Sequence, residues 1–187
     1  MLKTLDRVLA AVETAASGLA ALAMLAIMLI VASDVAMRYA FNRPWGWAYD
    51  FISLYVMVGL FFLALSKTFA VHGHISVDLL HHYLRPPARR ICEVVVCVLS
   101  ATLFALIAEA GAERAWGHYV EGDVLAGAIA WPTWASVAFV PLGAGMLTLR
   151  LALTAICHAV TLATGREILP LPPIVGSDEA PAGASFE

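Results

Sequence analysis

The chain has 187 residues, of which 61% are hydrophobic and only 13% are charged, and its mean hydropathy is +0.84. Soluble domains carry about 25% charged residues, so half that fraction indicates a membrane protein. The formal net charge of −3 leaves no basic excess that would bind nucleic acid. The sequence also lacks a glycine-rich phosphate-binding motif, so nothing in it indicates an ATPase.

Residues 1–13 show a short apolar periodicity. Leucines and one valine recur at steps of three and four residues from Leu2 to Val12, with charged residues between them. This pattern is typical of an amphipathic helix that lies on the membrane surface. An irregular cytosolic start to the first membrane span fits the same residues, and so short a stretch does not choose between the two.

Two charge-free stretches follow in the N-terminal half. Residues 14–33 form a run of 20 residues, and residues 51–66 form a run of 16. A spanning helix needs about 20 apolar residues, whereas the apolar core of a signal peptide is shorter. We therefore expect a retained span at residues 14–36 and a second at residues 45–66, which reaches spanning length with the aromatic residues that precede it.

The segment between these spans, residues 34–50, holds most of the polar information of the N-terminal half. Asp34 and Arg38 are four residues apart, so on a helix they lie on one face and can form an ion pair. Pro44 disfavours the helical conformation at the residue before it and should end the first helix. The dense aromatic residues around it are typical of a belt at the lipid headgroups. The segment is either a loop of ordinary interfacial anchors or a surface that another protein recognises.

A second polar segment, residues 67–90, contains four of the six histidines and ends in prolines and arginines. This composition is typical of an interfacial segment in contact with lipid headgroups. A metal or haem site at His72, His74, His81 and His82 is the sharper alternative. Haem in a helical bundle needs histidines that project into the core from facing helices, and no cysteine or carboxylate completes a ligand spacing here. We therefore expect no cofactor and no metal.

The third span is the least regular. Its charge-free core, residues 94–108, has only 15 residues, so a full crossing at residues 91–112 must include acids near its ends. Glu109 and Glu113 are four residues apart and share a helix face. Acids inside a membrane are candidates for a proton or sodium relay. The other interpretation is that both acids lie near the headgroups and have no such role.

The fourth span is expected at residues 132–157, with a kink at Pro141 and with Arg150 extending its side chain towards the headgroups. Residues 166–187 are rich in proline and show no periodicity, which predicts a disordered tail. If both termini are cytoplasmic, eight of the Lys and Arg residues lie inside and three lie outside. The positive-inside rule therefore favours cytoplasmic termini.

Two motifs carry a resemblance to a known family. Residues 38–50 are RYAFNRPWGWAYD, and residues 72–80 are HGHISVDLL. At this spacing, in a four-span chain, they resemble the small permease subunit, of the DctQ type, of tripartite ATP-independent periplasmic (TRAP) transporters. The acidic pair of that family is Tyr49–Asp50 in this chain, so one acid is absent. The matching residues are Arg38, Tyr39, Phe41, Asn42, Trp47, His74, Ile75, Val77 and Asp78.

The prediction is therefore an all-α integral membrane protein of the bacterial inner membrane, with four transmembrane helices over residues 1–165 and short amphipathic interfacial segments. The resemblance implies two protein partners besides membrane lipid. One is a large multi-span permease subunit that carries the substrate and sodium sites, and the other is a periplasmic substrate-binding protein that delivers an organic acid. The small subunit would be a scaffold and not an enzyme.

The resemblance also suggests a partner interface, formed by Arg38, Tyr39, Phe41, Asn42, Arg43, Trp47, Asp50, His74 and Asp78. The alternative function is a small four-span redox or cytochrome-like subunit, or another membrane enzyme. The lack of histidines in the middle of the spans argues against a cytochrome.

Overall fold

The computed structural model describes residues 2–74, 86–127, 129–165 and 171. Within these ranges the fold is all-helical, and four helices are long and apolar enough to cross a membrane, which confirms the predicted fold class. The tail expected at residues 166–187 lies outside the described residues, except for residue 171. The four helices are α1, Leu2–Phe41; α2, Ala48–Ala70; α3, Pro86–Glu121; and α4, Thr133–Thr164.

Helix α1 has 40 residues, which corresponds to about 60 Å at 1.5 Å per residue. Residues 2–13 continue into the apolar run without a break, so they form the first three turns of the same helix. The buried positions of α1 are spaced by three and four residues, as expected for one helix face. They are Leu9, Glu13, Ala16 and Ala20, and the helix packs mainly against α2.

Helix α2 contains one π-helical turn, Ile52–Val56, between two α-helical stretches. It packs against α4 by close backbone contact at glycine. A Cβ atom at Gly143 would overlap the backbone carbonyl of Phe62, so only glycine fits there. Small residues allow helices in membranes to approach in this way, and here they bring α2 and α4 together within one chain.

Helices α3 and α4 form the most extensive helix pair of the described residues. Their shared core contains Cys97, Leu147, Leu151 and Ala155. Helix α4 begins with Thr133–Val137 and is interrupted at Ala138 before it continues as Phe139–Thr164. Pro141 has no N–H for the Val137 carbonyl four residues earlier, which accounts for the interruption. The irregularity therefore lies three residues before the proline at which the sequence predicts a kink.

The connections between helices place two polar regions at opposite ends of the bundle. The α1–α2 connection and the α3–α4 connection meet at one end, which we call the Asp34 end. The first turns of α1 and the last turn of α2 meet at the other, which we call the Glu13 end. The sequence predicts that the Asp34 end faces the periplasm.

Candidate functional site

Asp34 fixes the joint between α1 and α2, by which we mean residues 34–50: the end of α1, the connection and the first residues of α2. Its Oδ2 atom accepts a hydrogen bond from Nη2 of Arg38 at 3.0 Å, and its Oδ1 atom accepts one from the backbone N–H of Trp45 at 2.6 Å. The Arg38 contact follows from helical spacing, but the Trp45 contact joins residues that are eleven positions apart in the sequence. The Asp34 side chain is 16% exposed and that of Arg38 is 60% exposed, so the acid lies inside the joint and the arginine on its surface.

The end of α1 is shaped by Asn42, which has a φ of 53°. Asparagine is one of the few non-glycine residues that adopt this left-handed conformation readily. The backbone N–H of Arg43 then donates to the Met37 carbonyl at 3.4 Å. Pro44 follows and prevents the helix from continuing. The chain therefore leaves the helix axis at a defined point, and the side chains of Asn42, Arg43 and Pro44 are exposed.

A series of aromatic rings runs from the joint along α2 to the start of α4. Trp45 stacks on Trp47 with 5.4 Å between ring centroids, and Trp47 meets Phe51 edge-on at 6.0 Å. Phe51 in turn contacts Tyr55 and Trp131, with centroid distances of 5.9 and 5.2 Å. Such offset and edge-on contacts add to the burial energy of the rings. These ring contacts therefore connect the joint to α2 and to the region just before α4.

Two side-chain hydroxyls join α2 to the start of α4 at the same end. The Tyr55 hydroxyl donates to the Pro132 carbonyl, and the Ser136 hydroxyl donates to the Leu54 carbonyl. Leu54 lies in the π-helical turn, where the backbone departs from the regular α-helical hydrogen-bond pattern. Ser136 therefore provides a donor at a point where the backbone of α2 is irregular.

The α3–α4 connection is itself ordered and packs on the joint. Nδ1 of His118 and Oδ2 of Asp123 are 2.7 Å apart, and the Asp123 carbonyl accepts from both the N–H and the hydroxyl of Thr133, at 3.1 and 3.0 Å. A Cβ atom at Gly127 would lie 2.8 Å from Oδ2 of Asp50. The half-buried Asp50 carboxylate therefore lies against the backbone of this connection.

The outer surface of the joint consists of large aromatic and basic side chains. Tyr39 is 86% exposed and Tyr49 is 80% exposed, and Phe41, Arg38 and Arg43 are also exposed. Trp47 is only half-buried. Arginine and aromatic residues are enriched where proteins dock, and aromatic rings are also enriched at the headgroup level. The geometry is therefore a supported platform that presents these side chains outward.

The structure does not bring all of the predicted interface residues together. His74 is exposed beyond the end of α2, at the opposite end from the joint, and Asp78 lies outside the described residues. The described residues contain no group of three His, Cys, Asp or Glu side chains that could hold a metal ion. Glu109 and Glu113 are exposed on α3.

Several residues of the site were not singled out in the sequence. Tyr55 and Ser136 lie inside apolar runs, and nothing local indicates that they meet across two helices. Trp131 immediately precedes the predicted fourth span. The sequence signal for their contact is weak: Phe51 and Tyr55 stand four positions apart on α2, which places both on one helix face.

The chain is similar to a known family of transporter subunits. A family model described as the DctQ component of tripartite ATP-independent periplasmic transporters matches residues 27–161. No curated protein and no solved structure matches the chain. The matched region includes the α1–α2 joint and ends within α4.

Proposed function

The chain belongs to the DctQ family and is thus a small subunit of a TRAP transporter, and on that premise we propose that its joint docks the periplasmic substrate-binding protein while its helices extend the large permease subunit. The complete assembly would import an organic acid together with sodium across the bacterial inner membrane. The family is part of a tripartite transporter, which supports the existence of both partners.

The observation that carries the docking proposal is the Asp34 contact to the Trp45 amide. This contact holds the joint in one conformation, and the stacked rings of Trp45 and Trp47 pack next to it. A preformed surface loses little conformational entropy when a partner binds. Exposed Arg38, Arg43 and Tyr39 on such a surface suit a partner that is repeatedly bound and released, because exposed charges mainly speed association and do not add much affinity.

The scaffold part of the proposal is supported by the exposed apolar faces of α1 and α3. Leu19, Leu22 and Leu29 on α1 are exposed, as are Leu99, Leu103 and Leu106 on α3. In a membrane these faces contact either lipid or the transmembrane helices of another subunit. A carrier also needs a polar ligand site near the bilayer midplane, usually on broken helices, and the middle of α1 is a charge-free, unbroken helix.

Charge reversal at the joint tests docking. In the reconstituted three-component transporter, Arg43→Glu should raise the concentration of binding protein that gives half-maximal uptake by about tenfold, because it replaces an attractive contact with a repulsive one. Co-purification with the large permease should be unchanged. Arg114→Glu is the matched control, since Arg114 is an exposed arginine on α3 outside the joint. Equal effects of both changes would contradict docking at the joint.

Reconstitution of this subunit alone tests the scaffold. In liposomes with a sodium gradient and the binding protein, it should give no uptake, whereas addition of the large permease should restore uptake. Uptake by the subunit alone would assign transport to this chain and make Glu109 and Glu113 the first candidates for ion ligands.

Cysteine labelling tests the orientation, after the three native cysteines are replaced by serine. Single cysteines at Asn42 and Gly122 should react with an impermeant thiol reagent in cells whose outer membrane is permeabilised. A cysteine at Gly73 should not react, because the positive-inside rule places it in the cytoplasm. Labelling at Gly73 alone would invert the topology.

A further inference from the structure

A network of charged and polar side chains joins three helices at the Glu13 end. Glu13 on α1 is fully buried. Its Oε1 atom accepts a hydrogen bond from the Ser66 hydroxyl of α2 at 2.6 Å, and its Oε2 atom lies 3.3 Å from Nη2 of Arg150 on α4. Nη1 of the same arginine donates to the Asp6 carboxylate. Two acids on α1 therefore converge on one guanidinium group.

The network is partly closed to solvent. Arg150 is 15% exposed, and Asp6 is 65% exposed. Lys67 lies one residue beyond Ser66, and its Nζ atom donates to the hydroxyl of Thr14 at 3.2 Å. Lys67 therefore brings a second positive charge to the α1–α2 contact beside the network. Removal of one charge would leave its buried partner uncompensated, whereas removal of a pair would not.

The rest of the α1 packing face is small and smooth. Besides Leu9 and Glu13, its buried positions are Ala16 and Ala20. Alanine side chains are too small to interlock with the neighbouring helix, so this face by itself would only weakly resist a shift of α1 along its axis. A buried polar contact, in contrast, is satisfied in only one register. Glu13 is the buried charged residue on this face, so it can specify the register of α1.

We propose that Glu13, Ser66, Arg150 and Asp6 form a clamp that sets the register of α1 and holds its first three turns against the bundle. The opposite end of α1 is held by the Asp34 contact to Trp45. Glu13 and Asp34 are 21 residues apart in the sequence, which is about 32 Å along a helix, close to the thickness of a bilayer core of about 30 Å. The clamp thus fixes the charge-free run of α1 between two attached ends.

Trypsin cleavage tests the clamp on the full chain purified in detergent. Arg7 is exposed within the first turns of α1, and Arg114 is exposed about two turns before the end of α3, at the opposite end of the bundle. Helical, docked segments resist cleavage, and local release exposes them. Glu13→Gln and Arg150→Met should therefore accelerate cleavage after Arg7 by about tenfold or more, with little change after Arg114. Equal acceleration at both sites would indicate general unfolding and would overturn the clamp.

Three further variants keep the test informative if a single change lowers expression. Glu13→Gln combined with Arg150→Met removes both charges and should return cleavage after Arg7 to within about twofold of the parent rate. Ser66→Ala removes only the hydroxyl donor and should give an intermediate rate. Glu109→Gln removes an exposed acid and should change nothing. If the double variant is cleaved as fast as the single variants, charge pairing does not hold α1, and the proposal is wrong.

Discussion

Each end of α1 holds an acid that pairs with an arginine, but the two pairs differ in burial and in structural role. Asp34 and Arg38 are one helical turn apart, and the arginine is largely exposed. Glu13 and Arg150 come from α1 and α4, and the acid is fully buried. An exposed pair contributes little stability because water and salt screen it, whereas breaking a buried pair is costly. The same residue types therefore shape a surface at one end and join helices at the other.

The largest expected effect is at the buried pair. Arg150→Met should lower the free energy of unfolding by about 3–5 kcal/mol, since it leaves Glu13 buried and uncompensated. Arg38→Met should lower it by less than about 1 kcal/mol. Titration of the purified chain with SDS in mixed micelles, followed by helical circular dichroism, measures both. Similar losses at the two arginines would remove the distinction between the ends.

A change between the two ends tests whether α2 and α4 are in close backbone contact there. Gly143→Ala places a methyl group on the backbone carbonyl of Phe62, so α2 and α4 must separate. Overpacking costs about 1–3 kcal/mol, and here it should reach the upper part of that range because a backbone atom cannot rotate away. Gly145→Ala is the matched control, because no atom lies within 4 Å of its added Cβ.

In the same SDS titration Gly145→Ala should be neutral or slightly stabilising, since alanine favours helix over glycine. If Gly143→Ala is equally well tolerated, α2 and α4 are not in backbone contact, and the two ends of the bundle are less firmly joined than the structure indicates.

The sequence predicted what depends on neighbours in the chain and missed what depends on distant partners. The four helices follow from long charge-free runs, and the Asp34–Arg38 contact follows from four-residue spacing. The Glu13 network does not follow from such local patterns. Glu13 stands between the periodic residues that include Leu9 and Val12 and the first apolar run, and a glutamate at this position fits a surface helix equally well. Nothing local shows that Ser66 and Arg150 face it.

The candidate site divides in the same way. The exposed residues of the joint were named from the resemblance to the DctQ family, but the contact of Asp34 with the Trp45 amide requires the turn geometry at Asn42. Arg150 was expected to reach towards the headgroups and instead pairs with two acids of α1. Long-range pairing of this kind is set by the packing of helices, which no short sequence window contains.

A smaller effect is expected from the carboxylate at the joint. Asp34→Ala removes the acceptor of the Trp45 amide and should cost about 1–2 kcal/mol, because hydrogen bonds to charged groups are stronger than neutral ones. Asp34→Asn keeps an oxygen that can accept from the same N–H and should cost about half as much. The SDS titration measures both, and tryptophan fluorescence reports on Trp45 and Trp47. Equal losses for the two variants would mean that the amide contact does not stabilise the joint.

The smallest expected effect is the coupling between Asp34 and Arg38. A double-mutant cycle with Asp34→Asn, Arg38→Ala and the double variant should give a coupling free energy of about 0.5–1 kcal/mol, since Arg38 is 60% exposed and the pair is screened. Because Asp34 also accepts from the Trp45 amide, Asp34→Asn alone should cost more than Arg38→Ala alone. The coupling should fall further at high salt, whereas the corresponding Glu13–Arg150 coupling should persist because the buried acid is shielded from ions. A salt-independent coupling at Asp34, or a salt-sensitive one at Glu13, would reverse the assignment of surface and interior roles to the two ends of α1.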